Sequence, residues 1–317
     1  MKKPTSGEQV YKAVTRTGLG SSPWVASGAG FPPDMTLMSA RDTGNAANNT
    51  SYHNSIIDTL RRATEHIQTV NQNAEGGGWG QGHIHNMDGY DGLYSSDASY
   101  WAYSGHRYID NHFRRAPGFM DIVYFTGTGS DRTVNHGLQV SPEMIICKRR
   151  DSSGAWNVYT SSLGVNKNIE MQYNYASYTS GVNIWQSVSA STFGVGTDAT
   201  INASGGTYIA YLFATCPGVS KVGSYTGTGS PLTVNCGFTT GARFVLIKRT
   251  DSSGSWWFFD TARGMASGSS KALWLDTGGA AEVSGGYVYT TSVGFVVESS
   301  ILALNTSGGN YIYLAIS

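Results

Sequence analysis

The feature that most constrains this chain is an internal repeat with a period of 100 residues. The segment TGTGS stands at 126–130 and again at 226–230, and DSSG stands at 151–154 and again at 251–254. Trp156 matches Trp256 at the same spacing, without a gap. Self-similarity at a fixed period indicates repeated structural units, so the fold must allow one unit to be built more than once.

A divergent first copy precedes the two clear ones. YIDNHFRRAPG at 108–118 aligns with YIAYLFATCPG at 208–218, and the final YIYLAIS is similar to both, so we interpret this segment as the closing strand of each unit. FPPDMTLMSARD at 31–42 likewise resembles SPEMIICKRRD at 141–151 and GARFVLIKRTD at 241–251. We predict an N-terminal arm at 1–16 and modules at 17–119, 120–220 and 221–317, the first with a Gly-rich, aromatic insert.

Short runs rich in β-branched and aromatic residues, such as VYFTGTG, EMIICKR and TYIAYLFA, alternate with Gly, Asn, Asp and Ser. This is the pattern of strands joined by turns. We predict an all-β fold of three tandem β-sandwich, jelly-roll-like modules, each of about 100 residues. Residues 55–69 leave two readings open, because their apolar spacing fits a helix whereas their counterparts in the other modules fit strands.

The charge balance excludes some partners. The chain has 21 Lys and Arg against 21 Asp and Glu, which argues against binding of nucleic acid or of a membrane surface. No apolar run is long enough for a secretory signal or a membrane span, so we expect no membrane insertion and no secretion by a signal peptide. Cys147, Cys216 and Cys236 lack metal-ligand spacing and are expected to be buried thiols.

The combined motifs resemble a known kind of repeat. A TGTGS strand, a P-x-x-I-I-x-K-R-x-D strand, a W-x-V-Y strand and YIAYLFAxxPGxSKxGSYTGTG together are similar to a module of tail-fibre-like and other virion proteins of marine and cyanobacterial bacteriophages. The resemblance covers nearly all residues from about 20 onward. It implies a virion setting and supplies no catalytic residues.

From this resemblance we expect a bacteriophage virion structural protein, most simply a tail fibre or tail-associated adhesion component that contacts host surface glycans. The alternative is a capsid decoration, head fibre or tail connector with a purely structural role. Either would be assembled in the host cytoplasm, would contact other virion subunits, and would form a homo-oligomer, with a trimer favoured. The tail is the favoured location over the capsid.

No enzymatic function is expected. Glycan depolymerases use paired carboxylates, and Asp88 and Asp91, the nearest candidates, fit a turn in a Gly-rich loop better. GTGS is expected to be a turn rather than a phosphate-binding loop, because neither a Lys nor a helix follows it.

Two sets of side chains in the insert are candidate binding residues. The aromatic ones could stack on sugars or, alternatively, fill the core or an interface: Trp79, Tyr90, Tyr94, Tyr100, Trp101 and Tyr103. His83 and His85 would share one face of a strand, and on a trimer axis they could bind a transition metal; otherwise they belong to a polar surface loop. No other cofactor is expected.

Two recurring features are interpreted as structural. Trp156, Trp256 and Trp257 are expected to pack in cores, since they recur with the repeat or lie beside it. Lys148-Arg149 and Lys248-Arg249 are interpreted as a solvated strand edge that discourages pairing with other chains.

Overall fold

The computed structural model describes residues 2–19, 24–42, 54–61, 65–76, 83–87, 89–92, 104–277, 282–298 and 302–317, with the backbone alone at 24–26, 83–86, 89–92 and 302. The described part is all-β, as predicted, and its sheets are antiparallel. Helical structure in this part is confined to a 3-10 turn at Gly7–Gln9 and two single turns, α1 (Ala199–Asn202) and α2 (Leu302–Asn305).

The first module, as we use the term below, consists of the first eight strands. They are β1 (Tyr11–Thr17), β2 (Trp24–Ser27), β3 (Met35–Ala40), β4 (Ser55–Asp58), β5 (Ile67–Gln68), β6 (His83–Asn86), β7 (Gly89–Gly92) and β8 (Arg107–Phe113). They form a five-stranded sheet in the order β1-β8-β3-β4-β5 and a three-stranded sheet in the order β2-β7-β6.

The second module repeats this arrangement. Its strands are β9 (Met120–Thr126), β10 (Arg132–Asn135), β11 (Met144–Arg149), β12 (Trp156–Thr160), β13 (Ile169–Glu170), β14 (Trp185–Val188), β15 (Thr192–Val195) and β16 (Thr207–Phe213). The larger sheet has the order β13-β12-β11-β16-β9, and the smaller one β10-β15-β14.

The third module has one extra strand, β22, at the edge of its larger sheet. Its strands are β17 (Ser220–Thr226), β18 (Leu232–Asn235), β19 (Phe244–Arg249), β20 (Trp257–Asp260), β21 (Ser270–Trp274), β22 (Val283–Gly285), β23 (Val288–Thr291), β24 (Gly294–Val297) and β25 (Asn310–Ile316). The larger sheet has the order β17-β25-β19-β20-β21-β22, and the smaller one β18-β24-β23.

The pairing within each module is nested. The first strand pairs with the last in the larger sheet, as in β9 with β16, and the second pairs with the last but one in the smaller sheet, as in β10 with β15. The same pairs recur as β1 with β8 and β17 with β25. This wrapping of outer strand pairs is the jelly-roll-like element of the predicted sandwich.

Two details of the sequence interpretation need correction. Residues 11–16 were assigned to an N-terminal arm, but they belong to β1, because Tyr11 is buried and the whole strand pairs with β8. The helical reading of residues 55–69 is wrong where the structure describes them. There the chain forms β4 and β5, and Ile56 and Ile67 of these strands are buried in a hydrophobic core. The other module boundaries stay predictions.

The three larger sheets share one hydrophobic core. Alternate residues of equivalent central strands point into it: Met35 and Leu37 of β3, Met144 and Ile146 of β11, and Phe244 and Leu246 of β19. Phe113 of the first module packs against Phe213 of the second and Phe244 of the third, with ring centroids 6.2 and 5.8 Å apart. Because one ring touches both other modules, the three sheets enclose the core as three sides.

The opposite face of each larger sheet is also buried. In the second module Ile145 and Cys147 pack with residues of the smaller sheet, and in the third Val245 and Ile247 do the same. Burial on both faces favours apolar residues at successive positions of a strand, which accounts for runs such as MIIC and FVLI. All three cysteines are buried free thiols, as expected.

Candidate functional site

The modules meet at three boundaries with the same backbone contact. A backbone N–H next to the outer strands of one module's larger sheet donates to a carbonyl just after the central strand of the next module. The donor and acceptor pairs, at 2.8–2.9 Å, are Glu75 to Arg150, Ser177 to Thr250, and Glu282 to Arg41. The contacts run from the first module to the second, from the second to the third, and from the third to the first, so the arrangement closes into a ring.

Two of these boundaries are closed by ion pairs. At the boundary of the first and second modules, Arg150 donates from Nη2 to Glu75 Oε1 at 2.8 Å, and its guanidinium lies 4.8 Å from the ring centroid of Tyr124. At the boundary of the third and first modules, Arg41 makes two bonds of 2.9 Å to Glu282. Burial alone would raise the pKa of Glu75 and Glu282, but the hydrogen bonds and charge of these arginines hold both pKa values below the ordinary value.

The boundary of the second and third modules is open. Thr250 stands there at the repeat position of Arg150, Ser224 at that of Tyr124, and Ser177 makes the backbone contact that Glu75 makes at the first boundary. These small side chains leave a groove of about 490 Å³, which we call the open groove. Its polar lining residues are Ser162, Ser177, Ser224, Thr226, Thr250, Asp251 and Asn310.

The groove is lined by hydrogen-bonding groups and by an aromatic pair. Asp251 accepts bonds from Arg249 Nε at 3.0 Å and from the backbone N–H of Asn310 at 3.1 Å, and the Arg249 hydrogen bond lowers the pKa of Asp251. Tyr225 and Tyr311, which also line the groove, stack with ring centroids 4.9 Å apart and planes at 11°. Asp251 is the single carboxylate among the lining residues, so the groove offers binding groups and no carboxylate pair for glycosidic cleavage.

The loop that supplies Ser177 also carries two exposed tyrosines. Tyr173 and Tyr175 have ring centroids 4.9 Å apart, and Tyr175 is 60% exposed. Backbone bonds anchor this loop to the third module, because Gly254 donates its N–H to the carbonyl of Asn174 at 2.8 Å. The loop therefore holds an aromatic surface in a defined position beside the open groove.

Lys248 fixes the same loop and corrects one interpretation. Its Nζ donates to the carbonyls of Tyr175 at 2.7 Å and Arg249 at 2.8 Å, and the side chain is fully buried. Lys148 is equally buried and donates to Gln72 of the first module and to Arg149. The prediction of a solvated edge is wrong for both lysines, because β11 and β19 are central strands whose ends the preceding module covers. Burial lowers the pKa of each to about 8.

The repeated tryptophans are core residues, as predicted. Trp156 and Trp256 are fully buried, and each also donates its indole N–H to the edge strand of the preceding module, at Gln68 and Glu170. Trp257 is 9% exposed and packs between Phe259 and Trp274. Trp156 and Trp256 thus bind modules together as well as filling cores.

The predicted insert residues lie outside the part of the chain that the structure describes in full. Trp79, Tyr94, Tyr100, Trp101 and Tyr103 are outside the described residues, as is Asp88. Tyr90 lies on β7, and His83 and His85 lie on β6, with the backbone alone described. Their proposed roles stay predictions. Elsewhere in the described part no three His, Cys, Asp or Glu side chains are grouped to hold a metal.

Sequence reasoning missed the open groove. The signal was present in the repeat, since the chain reads KRRD at 148–151 but KRTD at 248–251, and VYFT at 123–126 but GSYT at 223–226. Tyr124 and Arg150 of the second module are thus replaced by the smaller Ser224 and Thr250 in the third, which indicates a loss of side-chain volume at these two repeat positions. The sequence did not reveal that both positions face the same boundary.

Comparisons with known proteins add a family but no activity. A family model described as a domain of unknown function (DUF7483) matches residues 6–317. A search of curated proteins finds no match. No helix in the described part of the chain has the length and hydrophobicity needed to cross a membrane.

Proposed function

The chain belongs to the DUF7483 family, a domain of unknown function, and we propose that it is a bacteriophage virion structural protein that contacts host surface glycans. A tail fibre or tail-associated adhesion component is the favoured setting. The observation that carries the proposal is the open groove with the tyrosine pair of residues 173 and 175 beside it.

The chemistry of this surface suits a neutral or weakly charged saccharide. Serine and threonine hydroxyls donate and accept hydrogen bonds, as sugar hydroxyls do, and the asparagine amide and aspartate carboxylate of the groove extend that set. Tyrosine rings offer an apolar face and a polar tip, so they can stack on the C–H face of a sugar ring at low entropy cost. Each contact is weak, and repetition on a particle would raise the total avidity.

The test is binding of the purified, labelled protein to a panel of bacterial surface polysaccharides, followed by competition with the same free polysaccharide. Saturable binding that free polysaccharide abolishes is the expected result. Tyr175→Ala should weaken it, whereas Tyr124→Ala, which removes an exposed tyrosine at the closed first boundary, should leave it unchanged. Absence of binding to every member of the panel, or equal loss in both variants, would refute glycan contact.

A purely structural role is the second candidate. The shared core joins the three larger sheets of one chain into a single three-sided body, which suits a capsid decoration, a head fibre or a tail connector. The three larger sheets of a single chain already surround one core. Assembly of several chains into a trimer is a separate part of the proposal. Particles that assemble only when the protein is present, with no polysaccharide binding, would favour this candidate.

A further inference from the structure

A second cleft lies away from the open groove, where the N-terminal segment crosses the turn between the first and second modules. It has a volume of about 360 Å³. Its charged lining residues are all cationic: Lys2, Lys3, Arg114 and Arg115. We call it the basic cleft. It stands out in a chain whose formal net charge is zero.

Three of the four cations lack a compensating carboxylate. Arg115 is paired, with Nε 3.2 Å from Asp34 Oδ1 and a more distant contact of 3.8 Å to Asp121. Lys2, Lys3 and Arg114 have no carboxylate within ion-pair distance among the described residues. Uncompensated like charges in one concave site raise the local potential and attract anions.

The cleft is built by ordered backbone. Arg114 donates its backbone N–H to the carbonyl of Val10 at 2.8 Å, and the backbone N–H of Thr5 donates to Gln9 Oε1 at 2.9 Å. Gly118 has φ +77°, a conformation that favours glycine, and Lys3 packs so closely against it that an added Cβ would meet Lys3 Cε at 3.4 Å. These contacts order the backbone on both sides of the cleft, and the side chains of all four cations line it.

We propose that the basic cleft binds an acidic saccharide through its carboxylate, sulfate or phosphate group. A guanidinium can form paired hydrogen bonds to such a group, and the two lysines add point charges around it. The volume is that of a small-molecule site, and the hydroxyl of Thr5 and amide of Gln9 supply polar groups for the sugar itself. This site is separate from the open groove and does not depend on the function proposed for it.

The test is calorimetric titration of the full chain with glucuronic acid and glucose 6-phosphate, with glucose as the neutral probe and inorganic phosphate as the bare ion. The acidic sugars should bind saturably, glucose should not bind, and added salt should weaken the binding. Arg114→Gln should weaken it about tenfold, as expected for the loss of a charge-assisted hydrogen bond. Lys167→Gln removes one cation from the second module and should leave it unchanged.

Any one of three other outcomes would overturn the proposal. Binding of inorganic phosphate but of neither acidic sugar would mean an adventitious ion only. Tighter binding of hexaglutamate than of the acidic sugars would assign the cleft to an acidic peptide instead. Equal weakening in Arg114→Gln and Lys167→Gln, with unchanged thermal unfolding, would show that overall charge and not the cleft attracts the anion. Variants of the open groove, such as Tyr175→Ala, should not change the binding of the acidic sugars, so the two sites are tested separately.

Discussion

At the scale of single residues, Lys148 and Lys248 are two cations held inside the molecule by backbone carbonyl groups. A Lys-Arg pair at the end of a strand resembles a solvated edge, yet Lys148 and Lys248 are fully enclosed. The covering atoms come from the preceding module, 73 to 76 residues earlier in the chain. Local sequence carries no signal for such distant covering, whereas the core positions of Trp156, Trp256 and Trp257 could be predicted, because these residues recur with the repeat or lie beside it.

Lys248 should make stability depend on pH in a defined direction. Its folded pKa, about 8, lies below its ordinary value of 10.5, so the unfolded chain binds more protons between these values. The cost of burying the charge is therefore relieved as pH rises through about 8. The free energy of unfolding of the wild type, minus that of Lys248→Met, should rise by roughly 1 kcal/mol per pH unit between about 8 and 10.

Denaturant unfolding of both proteins across this range measures the difference. Subtracting the variant removes the contribution of buried cysteines and tyrosines, which titrate in both proteins. A difference that stays flat or falls with pH would show that the buried amine is not held with a lowered pKa.

Asn202 is a second residue whose importance comes from its neighbours. It is fully buried, accepts from the backbone N–H of Thr128 at 2.9 Å, and donates to the carbonyls of Ser130 and Gly196 at 2.7 Å. It thereby holds the GTGS segment, which is a turn between β9 and β10 as predicted. Asn305 makes the same bonds to the 228–230 turn.

Asn202→Ala should lower the free energy of unfolding by about 3 kcal/mol, because it leaves buried backbone groups without partners. Asn305→Ala should cost a similar amount, and Asn166→Ala, at an exposed site, should cost little. Urea unfolding at neutral pH makes the comparison. Equal small effects for all three would mean that water replaces the amide bonds.

At the scale of elements, strand and turn assignment follows from sequence to a large extent, and sheet contact does not. Runs such as EMIICKR and TYIAYLFA form strands because β-branched and aromatic residues alternate with turn residues at short intervals. For residues 55–69 the sequence left helix and strand open, and in the structure Ile56 and Ile57 lie on opposite faces of β4. Which sheet edge meets which neighbour depends on pairing across the whole chain, so the boundaries and their ion pairs were not predicted.

Glu282 should be the most important ion-pair partner at these boundaries. Its carboxylate is 5% exposed, with Arg41 at 2.9 Å and Lys271 at 3.4 Å. Glu282→Gln should lower the free energy of unfolding at pH 7 by about 2–3 kcal/mol, because it leaves the buried Arg41 without its carboxylate partner. Glu298→Gln is the control, as Glu298 forms no ion pair within the described residues.

The effect of Glu282→Gln should disappear in acid. The folded pKa of Glu282 lies below the ordinary value, so its stabilising contribution is complete above that value and is lost as pH falls through the folded pKa. Urea unfolding at pH 7 and pH 3 tests this. A difference between wild type and variant that is as large at pH 3 as at pH 7 would mean that packing, not charge, accounts for it.

At the scale of the whole molecule, the shared core makes the three modules interdependent. The inner face of each larger sheet is covered by the other two, so a single module would expose Leu246 or its equivalent to water. The all-β class and jelly-roll-like pairing could be predicted from repeats and strand patterns. The three-sided closure could not, because a repeat is equally compatible with a linear string of modules.

Thermal unfolding should therefore be one cooperative transition for the whole chain, despite its length. Leu246→Ala should lower stability by about 2–5 kcal/mol and shift that single transition, because a cavity in the core weakens all three sheets. Scanning calorimetry is the measurement. Separate transitions, with only one moved by the substitution, would show that the modules fold independently.

The central claim is that the open groove at the boundary of the second and third modules binds glycan. The double variant Ser224→Tyr, Thr250→Arg places there the two residues that occupy the first boundary, where Arg150 stacks on Tyr124. The most direct measurement is the affinity of this variant for the polysaccharide that the wild type binds best. We predict a loss of more than about tenfold with little change in thermal stability. An affinity equal to that of the wild type would contradict the assignment of the groove.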